Sequence, residues 1–156
     1  MSRSGADLAL LLLGGFRLLV DTATAELERR GFEDFRPVHE FALRAIVAGA
    51  DSASELGRRT GVSKQAAAKT IAVLVDRGYV DIAPDPRDAR RKRLRVTARG
   101  MDVMSQGEAI LERTRAAWEK QIGRTELATL EAHLAALVGE AAIHVEAPGW
   151  VASDPG

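Results

Sequence analysis

The hydrophobic positions of this chain change period several times, and each change marks an element. From Asp7 to about Arg30 the chain is apolar on nearly every side at first (Leu8, Leu10, Leu11, Leu12, Leu13) and then amphipathic (Phe16, Leu19, Leu27). That pattern predicts a helix closed by Gly31. Pro37 suits the first position of a second helix carrying Phe41, Leu43, Ile46 and Val47. Ser52 with Glu55 three residues later has the form of a capping box and opens a short helix that ends at Thr60. Gly61 supplies a turn, and Ser63 can cap a further helix in which Ala67, Ile71, Leu74 and Val75 recur at helical spacing.

Beyond Gly78 the period falls to that of strands. Tyr79 to Ala83 and Arg93 to Val96 are the predicted arms of a hairpin whose loop is dense in arginine. Thr97 then caps a long helix with Met101, Met104, Leu111, Trp118 and Ile122 on one stripe, and the sevenfold spacing of 104, 111 and 118 predicts a packing seam there. A break at Gly123 to Thr125 precedes a last helix bearing Leu127, Leu130, Leu134, Leu137, Val138 and Ala141, and an irregular tail follows from Ala147.

The expected fold is therefore mainly α with a small β-wing: six helices forming a winged helix-turn-helix within one domain over 1–156. The winged lobe spans 37–97. Segments 6–31 and 98–145 form a helical dimerisation region, and 146–156 is the tail. A first helix that is apolar all round, with two amphipathic terminal helices, exceeds what a winged lobe can bury alone, so a homodimer is expected.

Composition sharpens this outline through its distribution. The 156 residues are 46% hydrophobic and 28% charged, as in a folded protein with a core, and the formal net charge is zero. Between Arg58 and Arg95, however, eleven Lys or Arg face four Asp, a net +7 that leaves −7 for the rest. A basic middle between acidic flanks points to a polyanionic partner. No cysteine is present, which excludes disulfides, thiolate metal sites and cysteine redox sensing. Leu8 to Leu13 with Ala23-Thr24-Ala25 has a superficial likeness to a signal peptide, but Asp7, Gly14-Gly15, Arg17 and Asp21 break it. No uninterrupted apolar run reaches the length of a membrane span, and a cytoplasmic protein without a membrane partner is the expectation.

The helix opened by Ser63 exposes a small polar face, Lys64, Gln65, Ala68, Lys69 and Ala72, slim enough to enter a major groove. Gln can fork onto adenine, Lys suits guanine, and the Ala68 methyl suits thymine. In the wing, Arg87, Arg90, Arg91, Lys92, Arg93 and Arg95 fall within nine positions. Their mutual repulsion is tolerable where phosphates neutralise it, and arginine also suits the narrow minor groove. Asp85 and Asp88 lie close enough to hold an arginine in a fixed pose. Double-stranded DNA is the implied partner, and a protein-interaction module whose wing meets an acidic protein is the alternative.

These residues also carry a resemblance. Asp85-Pro86-Arg87-Asp88, the basic run after it and Leu94-Arg95-Val96-Thr97-Ala98-Arg99-Gly100 closely resemble the wing and following helix start of the MarR family of winged helix-turn-helix regulators. Glu55-Leu56-Gly57, Val62-Ser63-Lys64-Gln65 and Leu74-Val75-Asp76-Arg77-Gly78-Tyr79-Val80 look like that family too. The resemblance implies an interlocked homodimer that binds an inverted-repeat operator, most simply as a repressor, with Arg87 in the minor groove and Asp85 positioning it. Ala68 and Ala72 depart from the family, which commonly has Ser or Thr and often Asp there, so the operator cannot be copied from relatives. The family often binds a small aromatic or phenolic effector between dimer helices and DNA lobe. Arg17, His39, Phe41, Arg44 and Trp118 are the candidates here, since an anionic aromatic needs a cation or donor beside apolar walls.

Other chemistries find no support. His39-Glu40 lacks a histidine at position 43, where Leu43 stands, and His144-Val145-Glu146 lacks the cysteines of a deaminase. His133 and His144 would lie about 16 Å apart on one helix at ~1.5 Å per residue, too far to share an ion. No nucleophile elbow or acid–base set is assembled, so neither catalysis, a cofactor nor a metal is expected.

Overall fold

The computed structural model describes residues 3–139. The order is α1 (Gly5–Arg29), α2 (Pro37–Val47), α3 (Ala53–Thr60), α4 (Lys64–Asp76), β1 (Val80–Asp85), β2 (Asp88–Val96), α5 (Ala98–Ile122) and α6 (Arg124–Val138). These are the six helices and two-stranded wing expected. The tail 146–156, the stretch 140–145 with Ala141 and His144, and Trp150 lie outside the described residues.

Local chemistry sets most boundaries. Ser4 caps α1, its hydroxyl accepting from the Asp7 N–H at 3.1 Å while Asp7 accepts the Ser4 N–H at 2.9 Å. The helix thus begins two residues ahead of the expected Asp7. It ends where predicted: the Phe32 N–H reaches back to the Leu27 carbonyl at 2.9 Å, just beyond Gly31. Ser52 caps α3 through the Glu55 N–H at 3.2 Å, but Glu55 does not return the bond. Arg58 and Arg59 draw its carboxylate outward and hold it down to about 2. The expected reciprocal box is therefore half a box. Between α5 and α6 a single residue, Gly123 at φ 103°, makes the break.

The wing is longer than its hydrophobic signal. β1 and β2 pair antiparallel from Val80 opposite Val96 to Pro84 opposite Lys92, with an irregularity at Asp85. Arg90 to Lys92 thus belong to a strand. An exposed two-stranded ribbon has no buried face to impose alternation, so arginines occupy ladder positions that periodicity assigns to a loop. The Leu94 N–H donates to the Asp51 carbonyl at 3.2 Å and ties the wing to the turn ahead of α3.

The core lies in the winged lobe and runs into α1 and α5. Leu43, Leu56, Leu74, Tyr79, Val80 and Val103 are its largest fully buried side chains. Phe35 meets Tyr79 edge-on with ring centroids 5.7 Å apart, while Arg99 lies over Phe32 and Tyr79 at 4.9 and 5.3 Å.

The seam on α5 differs from the expected one. Its buried positions are Gly100, Val103, Gly107 and Ile110, whereas Met101, Leu111 and Ile122 are exposed and Met104 and Trp118 are half-buried. The reason is close approach: a Cβ on Gly100 would stand 2.3 Å from the Tyr79 carbonyl oxygen. Small residues make this contact, and a search for large apolar ones passes over them. Val75, expected in the core, is also exposed.

Leu8 to Leu13 contribute five exposed leucines to a flank of α1 that no described residue covers, and Leu130, Leu137 and Val138 do the same on α6. Only Ala23 and Leu27 of α1 are buried. By length and composition α1 could also cross a membrane, although no uninterrupted apolar run marks it in the sequence, because mean hydropathy tolerates the glycines and isolated charges that break the run.

Candidate nucleic-acid interface

Helices α3 and α4 are set by their turn. Gly61 adopts the left-handed conformation, φ 69° and ψ 29°, and the Val62 N–H donates to the Gly57 carbonyl at 2.9 Å. Ser63 then caps α4 by accepting the Ala66 N–H at 3.0 Å. Ala67, Ile71 and Leu74 face inward, which leaves Lys64, Gln65, Ala68, Lys69 and Ala72 exposed together. The sequence-predicted reading face is a real face of one helix.

In the wing the carboxylates act on the backbone. Asp85 Oδ1 accepts the Arg87 N–H at 2.9 Å and Asp88 Oδ1 accepts the Arg90 N–H at 3.0 Å. Such turns fix the tip and leave the arginine side chains projecting. Side-chain pairing falls instead on Arg95, which grips Asp81 with bonds of 3.0 and 2.7 Å and holds that carboxylate below its usual range. Arg87, Arg90, Arg91, Lys92 and Arg93 are all exposed, and among the described residues none pairs with a carboxylate. Elsewhere arginines are mostly neutralised: Arg44 sits on Glu40, Arg59 on Glu55, and Arg115 on Glu131.

Two arginines lock this lobe to the α1–α2 connection and to α5. Arg77, which caps α4, donates to the Glu33 and Asp34 carbonyls at 3.0 and 2.8 Å. Arg99, near the start of α5, donates to the Gly31 and Arg77 carbonyls, both at 3.2 Å. His39 lies beside this lock. Burial, seconded by the Arg77 charge, pushes it down to about 4, and its Nδ1 accepts the Arg36 N–H at 3.0 Å. It is thus a neutral helix-start residue.

A cavity of about 230 Å³ opens between α1, α2 and α5, with Phe16, Leu19, Val20, Leu27, Phe41 and Leu111 in its wall. Of the five effector candidates only Phe41 lines it. Arg17 and Trp118 lie outside the lining, His39 serves the start of α2, and Arg44 Nε donates to Glu40 Oε1 at 2.6 Å. Glu40 does line the cavity, and sequence reasoning missed it. Its signal was its place one residue from Phe41 and four from Arg44, an acid on a helix face otherwise apolar. A second cavity of about 240 Å³ lies between α2, α3 and α4, bounded by Val38, Leu56, Ala66 and Thr70, and it shares Phe41 and Arg36 with the first. Among the described residues no group of three or more His, Asp or Glu could hold a metal ion.

Residues 39–91 match the model of the MarR family. No curated protein matches the chain. Among solved structures it is similar to the PcaV transcriptional regulator from Streptomyces coelicolor, at 24% identity and TM-score 0.65, covering 89% of this chain and 98% of that one. It is similar also to wild-type MarR in its apo form from E. coli, at 21% identity and TM-score 0.63 over 88% and 99% of the two chains. A MepR mutant from S. aureus bound to an oligodeoxyribonucleotide gives 14% identity and TM-score 0.61 over 90% and 99%. The family model thus covers the helix-turn-helix and most of the wing, and the chain shares the winged-helix fold of these regulators over its described length.

Proposed function

We propose that this protein is a sequence-specific DNA-binding transcriptional regulator, acting as a homodimer on an inverted-repeat operator and most simply as a repressor that occludes promoter DNA. The observation that carries the reading is the set of five exposed wing cations without carboxylate partners among the described residues, in a chain whose other arginines are largely paired. Phosphates are the missing counter-charges. Lys64, Gln65, Ala68 and Lys69 read base edges from α4, Ser63 sets the helix start, and Arg87 enters the minor groove. The uncovered apolar flanks of α1, α5 and α6 support the dimer, since contiguous exposed apolar surface marks an interaction face. The MepR mutant's bound oligodeoxyribonucleotide supports the same reading by likeness of fold. We propose further that the α1/α2/α5 cavity takes a small-molecule effector, and that the protein works in the cytoplasm without catalysis.

Binding to DNA that flanks its own coding region tests this, with fluorescence anisotropy against random duplex of equal length. Strong discrimination between the two is expected, and Gln65→Ala should relax preference at one base position of each half-site. Equal affinity for both duplexes at physiological salt would instead favour a winged helix that contacts an acidic protein.

A further inference from the structure

The cavity between α1, α2 and α5 has apolar walls and a carboxylate. Glu40 projects from the first turns of α2, only 22% exposed, and burial raises its pKa, a shift that the Arg44 charge opposes and the nearby Glu108 adds to. Arg44 Nε donates to its Oε1, but the Arg44 side chain is itself 40% exposed and shares its charge with water. The other polar lining groups are engaged elsewhere: Thr24 donates to the Phe35 carbonyl at 3.4 Å, and Arg36 Nε donates to Asp34 Oδ1 at 2.8 Å.

Resting on the reading of this cavity as an effector site, we propose that its ligand is a lipophilic cation, with an apolar aromatic body against Phe16, Leu19, Val20 and Leu111 and an ammonium head on Glu40. Desolvation disfavours the ionised carboxylate, and a cation that enters with the ligand offsets that penalty. An anionic aromatic, which the sequence alone suggested, would set a second carboxylate beside Glu40, and the one cation in the described wall, Arg36, is turned onto Asp34. Arg17, the cation expected to hold it, is not in the wall. Occupancy has a route to the DNA: Phe41 separates this cavity from the one behind α4, so a body pressing on Phe41 loads the wall formed by Ala66 and Thr70 of the reading helix.

Isothermal titration of the DNA-free, full-length protein with 1-naphthylmethylammonium, 1-naphthylmethanol and 1-naphthoate tests the head-group preference. The ammonium should bind at least tenfold tighter than the carboxylate, the alcohol should fall between them, and Glu40→Gln should erase the ranking. Val20→Phe, which fills the cavity from α1, should abolish binding of all three. The wild-type ranking and this blockade remain informative even if the Glu40 variant does not fold. Naphthoate binding as tightly as the ammonium, a ranking that survives Glu40→Gln, or no binding by any of the three would overturn the proposal. A cation that binds through Glu40 yet leaves DNA affinity unchanged upholds the cation site, and only the ligand-responsive reading of the regulator then fails.

Discussion

The unpaired wing cations make a quantitative demand on salt dependence. Arg87, Arg90, Arg91, Lys92 and Arg93 each lack a carboxylate partner among the described residues, and a dimer presents every one of them twice. If all neutralise phosphates, the wings alone contribute a log–log slope of about −9, at roughly 0.9 per phosphate on duplex DNA. Affinity should then fall by about five decades between 50 and 200 mM salt, before Lys64 and Lys69 are counted. Replacing Arg91 and Lys92 together by alanine removes four contacts per dimer, so the slope should become shallower by about 3 to 4. Arg115→Ala is the control. Its guanidinium is already held by Glu131 through bonds of 2.6 and 2.8 Å, far along α5, and the slope should not move. Anisotropy of a labelled operator duplex across potassium chloride concentrations reads all three proteins. An unchanged slope in the double variant would mean that these cations face solvent even in the complex, and the phosphate assignment of the wing would be wrong.

Gly100→Ala should destabilise the fold by about 2 to 4 kcal/mol, the range of severe overpacking, because its Cβ would meet the Tyr79 carbonyl at 2.3 Å and Val96 Cγ1 at 2.6 Å; urea denaturation checks this, and a wild-type midpoint would refute the close approach. His39 is depressed to about 4 while the unfolded chain titrates near 6.5, so the unfolded state takes up the proton first. Stability is therefore full above about pH 6.5 and falls by roughly 3 kcal/mol as pH drops through 4, a loss that His39→Gln should remove from a pH series of unfolding curves. Leu12→Glu places a charge on the uncovered flank of α1 and should shift the species seen by sedimentation from dimer toward monomer; a dimer of unchanged affinity would place the interface elsewhere.

The elements with strong local chemistry were legible in the sequence: the six helices, the Gly31 and Gly78 stops, the Ser63 cap and the exposed polar face of α4 all follow from period and capping. What escaped was set by tertiary contact. Gly100 lies in the α5 seam because the Tyr79 backbone passes close to it, and Gly107 because Leu27 packs onto it, and nothing in their own side chains announces either contact. Ladder pairing of Arg90 to Lys92 leaves no hydrophobic trace. Glu40 became a cavity residue only when α1 and α5 closed over α2, whereas Arg17, a plausible ligand partner by composition, was left outside. Asp85 was expected to hold an arginine side chain, but its bond is to the Arg87 backbone, which sequence spacing alone does not distinguish from a side-chain grip.

The lock formed by Arg77 and Arg99 decides where this molecule can bend. Both guanidinium groups hold carbonyls of the α1–α2 connection while rooted at the end of α4 and the start of α5, so three chain segments are riveted at one point. A joint cannot lie where it is riveted. Any change in the distance between the two reading heads of a dimer must be generated farther out, along the shafts of α1 and α5 where packing is by side chains alone. In the proposed dimer the winged lobe would turn as one solid piece on those shafts, and their angle would set the separation of the two lobes.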